Sequence, residues 1–408
     1  MPEKLRILFV DDDRMLLEGL RRMLRSMREE WDMAFANSPQ EALELLSKES
    51  RDVIISDIRM PGMTGVELLE QVREKHPQTV RIVLSGQASR ETVLQSIGPT
   101  HQYLTKPCDP DTLKGAIGRL GMLRDLLSAP KLRGAITAME ALPSLPSLYN
   151  EVTKELLSDD ASIESVSRTI AKDVGLSSKF IQLVNSGFFG QPQHVPDPAR
   201  AATILGLDTI KPLVLSLHVF SQFDESKSND FELQALWDHN IAVGACSKRI
   251  AEVENTEKEA LDLALMAGLL HDIGKVALIK EMPEEYRSAL ETVRGKGIDL
   301  LKAENETFGA THAEVGAYLL GIWGLPDAVV EAVAYHHGPF DSQNTSEFTP
   351  LTAVHAGNTV VYESLQVSDM TAAATFDTSY LTVLGLEERA PAWLQACQQL
   401  LQKEAINV

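Results

Sequence analysis

Over residues 1–127 five short apolar runs, Leu5–Val10, Trp31–Ala36, Val53–Ser56, Val80–Leu84 and Gln102–Leu104, are separated by amphipathic stretches that carry their own helix-start signals. Ser38-Pro39-Gln40-Glu41 is a capping box with proline at the first helical position, and Thr64-Gly65-Val66-Glu67 is a second box. Asp109-Pro110 opens the last helix of the segment in the same way. Short apolar strands alternating with helices predict a doubly wound α/β domain of five parallel strands with helices on both faces. In such a sheet the functional crevice lies beyond the carboxyl ends of the central strands.

Polar residues stand at those ends. Asp11 and Asp12 follow the first run, Asp57 follows the third, Ser85 ends the fourth and Lys106 follows the fifth. A single aspartate there is ordinarily a solvated loop residue or a helix cap. Three carboxylates in one crevice repel one another unless a cation joins them. A hard divalent ion with octahedral oxygen preference, such as Mg²⁺, answers that repulsion and also binds a phosphoryl oxygen.

The motifs FVDDD (9–13), ISDIRMPGMTGVELL (55–69), LSG (84–86) and YLTKP (103–107) resemble the receiver domain of two-component response regulators, a flavodoxin-like fold. The resemblance implies that Asp57 is the phosphoacceptor, a carboxylate nucleophile toward phosphorus. It also implies that Asp11, Asp12 and Asp57 hold Mg with the backbone carbonyl of Arg59, and that Lys106 neutralises phosphoryl charge. Ser85 would hydrogen-bond the phosphoryl oxygens and Tyr103 would turn inward with it as a switch pair. The implied partner is a cognate sensor histidine kinase.

After residue 127 the pattern changes. In the last helix of the first domain, Asp109–Leu127, residues Leu113, Ile117, Leu120 and Leu127 form one stripe. It packs on its own sheet or, alternatively, continues outward to dimerise or relay a signal. Pro130, Gly134, Pro143 and Pro146 mark residues 128–146 as a linker, and the next helix is expected near Ser147. From there helical periodicity dominates, in runs such as Ala235–Val253, Ala260–Leu270 and Ala328–His337, so an all-α domain over 147–365 is expected. Six of the chain's ten histidines fall between 239 and 355: His239, His271, His312, His336, His337 and His355. Several imidazoles and a carboxylate, Asp272, directed into one bundle interior need pairing, and a shared metal pairs them all. Imidazole with carboxylate suits Fe, Mn or Zn, and Asp272 is placed to bridge two ions.

The segment LLHDIGK (269–275) resembles the signature of HD-type metal-dependent phosphohydrolases. LPSLPSL (142–148), NSGFFG (185–190) and AATILGL (201–207) narrow the resemblance to HDOD domains, output modules related to the HD fold. The resemblance implies an HD-type site from His239, His271, Asp272, His312 and His336, with His337 and His355 as neighbouring candidates. Lys275 stands where related enzymes contact phosphate. Asn358 stands where the superfamily's closing aspartate belongs, and an amide is a weaker ligand; His355, one helical turn earlier, is the expected substitute. No HD-GYP signature follows His336-His337. NSGFFG is read as a helix-ending turn with packing phenylalanines. Residues 366–408 form a tail whose last amphipathic helix, through Leu386, Trp393, Leu394, Cys397, Leu400 and Leu401, caps the domain or serves a partner.

Composition limits the output. Lys and Arg total 38 against 58 Asp and Glu, a formal charge of −20. An acidic chain without a basic recognition helix is not expected to bind nucleic acid. Cys108, Cys246 and Cys397 lie far apart and form neither a disulfide framework nor a thiolate zinc site. No signal segment or membrane span is expected, which points to a cytoplasmic protein. Two readings of the output stand side by side. One is a signalling and protein-interaction module with an unknown downstream protein partner and a possible homodimer. The other is a receiver-regulated metal-dependent phosphohydrolase acting on a nucleotide or cyclic nucleotide.

Overall fold

The computed structural model describes residues 4–85, 100–106, 108, 110–127, 129–137, 162–170, 200, 202–203, 210, 231, 233–342, 346–364 and 374–407. It divides into two compact units, Met1–Ser147 with Tyr318–Leu325, and Leu148–Ala317 with Pro326–Val408.

The first unit is a parallel sheet of β1 (Leu5–Val10), β2 (Trp31–Ala36), β3 (Val53–Ser56), β4 (Val80–Ser85) and β5 (Gln102–Thr105), in the order β2-β1-β3-β4-β5. Helices α1 (Arg14–Met23), α2 (Pro39–Lys48), α3 (Gly65–Lys75), α4 (Pro110–Leu126) and α5 (Pro130–Thr137) accompany it. Covered on both faces, the central strands are apolar at nearly every position, and β3 is buried throughout. The helices expected to start after Ser38, after Thr64 and at Pro110 are present, and α1 has a cap of its own beyond those expected. Asp13 caps α1 through the amides of Met15 and Leu16. At α3 the box is reciprocal: the Thr64 amide donates to Glu67 at 2.8 Å and the Glu67 amide to Thr64 Oγ1 at 3.2 Å. At α2 the Glu41 carboxylate takes the Asn37 amide instead of that of Ser38, while Ser38 Oγ caps the Glu41 amide.

Two expectations around the end of this unit meet their outcome. The stripe Leu113, Ile117, Leu120 and Leu127 is buried, as a helix packed within its own unit requires. The stretch read as linker, 128–146, contains α5. Pro130 sits at its start, where a missing amide costs nothing, and Leu132 and Ile136, four residues apart, are both buried. Arg133 donates to the carbonyls of Arg124 and Leu127 at the end of α4. The helix expected to start near Ser147, and the segments 142–148 and 185–190, lie outside the described residues, as does most of 201–207.

The described part of the second unit is helical: α6 (Ile163–Ile170), α7 (Leu233–Val253), α8 (Lys258–Leu270), α9 (Ile273–Glu281), α10 (Pro283–Lys296), α11 (Leu300–Phe308), the first part of α12 (His312–Ile322), α13 (Asp327–Tyr335), α14 (Pro350–Ser364), α15 (Thr378–Leu384) and α16 (Ala390–Asn407). The central helix α7 lies against α8, α14 and α16. Small residues let these axes close up. A side chain at Gly268 would come within 2.7 Å of the Gly244 Cα, and one at Gly357 within 2.8 Å of Ser247 Oγ. The tail belongs to this unit, because Trp393, Cys397 and Leu401 of α16 are buried and the Trp393 indole donates to Glu254 at 2.7 Å. Among the described residues no helix is long and apolar enough to cross a membrane.

Candidate functional site

In the first unit the strand register aligns the polar ends. Val10 pairs with Ser56, Ser56 with Val83, and Ser85 with Thr105, so the residues that follow these strands share one edge. Lys106 Nζ donates to Asp11 Oδ2 at 2.6 Å and to Asp57 Oδ1 at 2.7 Å. Burial works against the Lys106 charge, but the hydrogen bonds and charges of Asp11 and Asp57 outweigh it and hold the ammonium above the ordinary lysine value. The Arg59 amide donates to Asp57 Oδ2 at 3.0 Å, and the Asp13 amide to Asp11 Oδ1 at 2.9 Å. Asp12 is exposed beside them.

Gly65 explains how α3 reaches this edge. A Cβ there would collide with the Asp57 carbonyl oxygen, so only glycine allows the helix to start against the Asp57 backbone. The Gly65 amide bonds the Ile58 carbonyl at 2.8 Å. The structure therefore brings Asp11, Asp57, Lys106 and the Arg59 backbone together. The side chains of Ser85 and Tyr103 lie outside the described residues. The donor set fits Mg²⁺: oxygens of Asp11 and Asp57 face a common space in which one ammonium is the present counter-charge.

The second centre gathers around Asp272, between α8 and α9. His312 Nε2 stands 3.1 Å from Asp272 Oδ1 and His336 Nε2 3.9 Å from it. On the other oxygen, Oδ2, His271 Nε2 stands at 3.4 Å and His239 Nε2 at 4.0 Å. Lys275 Nζ, one turn on, is 2.6 Å from the same Oδ2. His337 completes the group, its Nε2 3.2 Å from His312 Nε2. Two sets with ligand atoms within 4.8 Å of one another result: Asp272, His312, His336 and His337, and His239, His271 and Asp272. Asp272 belongs to both.

The rings are held by their far nitrogens. His271 Nδ1 donates to the Gly268 carbonyl and His336 Nδ1 to the Val333 carbonyl, each at 2.8 Å. Each thereby keeps Nε2 toward the centre, the usual arrangement of imidazole ligands. His271 Nε2, His336 Nε2 and Asp272 Oδ1 are buried without a hydrogen-bond partner. Orphaned buried polar atoms cost free energy, and a divalent cation among them answers all three, so the residues present fit a metal.

Burial, which also makes two adjacent charges on His239 and His271 unfavourable, pushes His239 down to about 3. Burial also lowers His271, His336 and His337 and favours their neutral, ligating forms. It would raise Asp272, but His271, Lys275 and His312 overcome that and hold the carboxyl well below its ordinary value.

Gly274 assembles this centre as Gly65 does the first. A Cβ there would collide with the His312 carbonyl oxygen, so α9 and the start of α12 touch backbone to backbone. Three expectations are refined. His355 does not stand in for a ligand: its Nδ1 donates to the His336 carbonyl at 2.8 Å and its Nε2 accepts the Asp377 amide at 2.9 Å, so both nitrogens are used by the backbone. Asn358 faces His239, with Oδ1 3.1 Å from Nε2. Lys275 is directed at Asp272 and buried with it. Sequence reasoning missed Glu304, whose carboxylate is fully buried against His312. Its spacing, four residues after Leu300 and four before Phe308, puts an acid on an apolar stripe and was the available signal.

The response regulator receiver domain family matches residues 7–118, and the HDOD domain family matches residues 142–339. The chain is a receiver–HDOD protein. It resembles an uncharacterized protein of Treponema pallidum (strain Nichols), 26% identical over 199 residues, 49% of this chain and 38% of that one. It also resembles the hydrogenase transcriptional regulatory protein HoxA of Cupriavidus necator, 35% identical over 37% of this chain and 30% of that one. The response regulator protein PilR of Pseudomonas aeruginosa is 32% identical over 30% of this chain and 25% of its own length. The receiver–HDOD chain thus spans well under half of these curated relatives. An HDOD domain protein of unknown function from Geobacter sulfurreducens superposes with a TM-score of 0.51 at 20% identity, over 68% of this chain and 99% of that one. A putative phosphohydrolase from Shewanella amazonensis gives 0.52 at 19% identity, over 68% and 97%. Both likenesses are of fold.

Proposed function

We propose that this receiver–HDOD protein is a response regulator in which a sensor histidine kinase phosphorylates Asp57 and thereby controls the helical unit as a signalling and protein-interaction module built on a metal-bound core. Lys106, bonded at once to Asp11 and Asp57, carries the first half of the reading. An Asp57 carboxylate oxygen attacks phosphorus, the new P–O bond replaces the bond to the donor, and the Lys106 ammonium lies where phosphoryl charge arrives. Bound Mg²⁺ supplies further charge neutralisation at Asp11 and Asp57. The test is incubation with a small acyl phosphate and Mg²⁺. An acid-labile phosphoryl group on the wild type but not on Asp57→Ala supports the reading, and equal labelling of both sinks it.

The burial of most of the second centre supports an interaction module. Asp272, His271, His312, His336 and Lys275 are all buried, and Lys275 spends its charge internally. The phosphohydrolase reading draws on Asp272 being shared by two ligand sets, the pattern of a bridged pair of ions. Metal content of chelator-free protein against Asp272→Ala, followed by a phosphoester screen of the loaded protein, separates the two.

A further inference from the structure

We infer that Glu304 is the positioning residue of the helical centre, fixing His312 so that its Nε2 is presented to Asp272 and to a metal. This rests on reading the cluster as a metal centre. Histidines at helix ends have a ready anchor, because the carbonyl three residues back lies within reach of Nδ1, and His271 and His336 both use it. His312 begins α12, so no helical carbonyl precedes it. Glu304, from α11, takes that place. One oxygen, Oε2, accepts both the His312 backbone amide at 2.9 Å and the ring Nδ1–H at 2.7 Å. A single atom thus fixes the main chain and the ring of one residue, and it sets a carboxylate at the amino end of α12, where negative charge is favoured. The other oxygen, Oε1, is reached by the Tyr286 hydroxyl at 3.4 Å, so the carboxylate is itself held. All three side chains are buried. Of the rings of His271, His312 and His336, that of His312 is the one anchored at Nδ1 by a charged group. A carboxylate behind an imidazole makes it a stronger donor than a carbonyl does.

The test uses the full-length protein with Zn²⁺ as probe and a competing chelator to read affinity. It adds nitrogen-15 histidine spectra of the metal-free protein, with His312 assigned by its loss in His312→Gln. Glu304→Gln keeps an oxygen in place and removes only the charge, whereas Glu304→Ala removes the anchor. Expected are a retained His312 Nδ1–H resonance and about tenfold weaker Zn²⁺ binding in Glu304→Gln. Glu304→Ala should lose the resonance and bind up to about a hundredfold more weakly. An unchanged Nδ1–H resonance in Glu304→Ala, or wild-type Zn²⁺ affinity in both variants, overturns the assignment. If the wild type binds no Zn²⁺, the metal reading fails, and the resonance alone decides whether Glu304 positions His312. Should Glu304→Ala fail to fold, the affinity of Glu304→Gln still decides.

Discussion

Lys275 Nζ and Asp272 Oδ2 form an ion pair of 2.6 Å in which both side chains are 1% exposed. Removing one partner of a sealed pair leaves an uncompensated charge, at a cost of about 3–5 kcal/mol. Lys275→Met is therefore expected to lower the stability of the metal-free helical unit by about 3 kcal/mol, read by urea unfolding. A divalent cation should restore most of the loss, and Lys275→Met combined with Asp272→Asn should be milder than Lys275→Met alone. Equal stability of Lys275→Met and wild type without metal would show that the pair does not offset the buried carboxylate.

Gly65→Ala and Gly274→Ala each force a Cβ into a backbone carbonyl, of Asp57 and of His312 respectively. Each should cost about 3 kcal/mol, the upper part of the ordinary overpacking range. The functional losses should separate: Gly65→Ala impairs phosphorylation and spares metal binding at the helical centre, and Gly274→Ala does the reverse. Acyl phosphate labelling and metal content measured on both proteins check this.

The receiver has a buried group that makes it acid-sensitive. His101 Nδ1 accepts the Arg81 amide at 2.9 Å, so its proton lies on Nε2, which is 3.1 Å from the Thr137 carbonyl of α5. Burial, and then the Arg81 charge, hold the ring well below the ordinary histidine value of 6.5. Above that value the ring is neutral whether the chain is folded or unfolded, and the full stability is present. Below it the unfolded chain takes up a proton that the folded one refuses. Stability should then fall by up to about 1.4 kcal/mol per pH unit for this one group. The difference in urea midpoint between wild type and His101→Gln, followed from neutral pH downward, should shrink as pH falls. A constant difference would refute the assignment.

Trp393 joins the tail to the helical unit. Trp393→Ala empties a fully buried site and removes the indole donor from Glu254, which keeps Arg389, for an expected loss of about 3–5 kcal/mol in that unit. Receiver phosphorylation should be unaffected. A change within experimental error would mean that α16 is dispensable for the core it covers.

What was legible in the sequence was what is local. Asp57 announces itself because its strand, its turn and the Thr64 box are contiguous, and His271-Asp272 sits between the end of one apolar helix and Gly274. What was missed depends on partners distant in the chain or on ambiguous punctuation. Glu304 gains its meaning from the Nδ1 of a residue that starts another helix. His355 stands one turn before Asn358 as the expected substitute, yet Asp377 claims its Nε2 from beyond the end of α14. Pro130 and Gly134 read as breakers, although proline at a first turn begins α5 and the buried Leu132 and Ile136 sustain it.

Gly65 and Gly274 also set a criterion for sorting sequences. At both centres the ligating side chains are aimed by main chain that approaches more closely than any side chain permits. Ligand residues can survive as remnants long after their geometry is gone, but a glycine kept for contact has no such afterlife. A receiver–HDOD sequence that retains every aspartate and histidine yet carries a side chain at position 65 or 274 should be counted as having lost the corresponding centre.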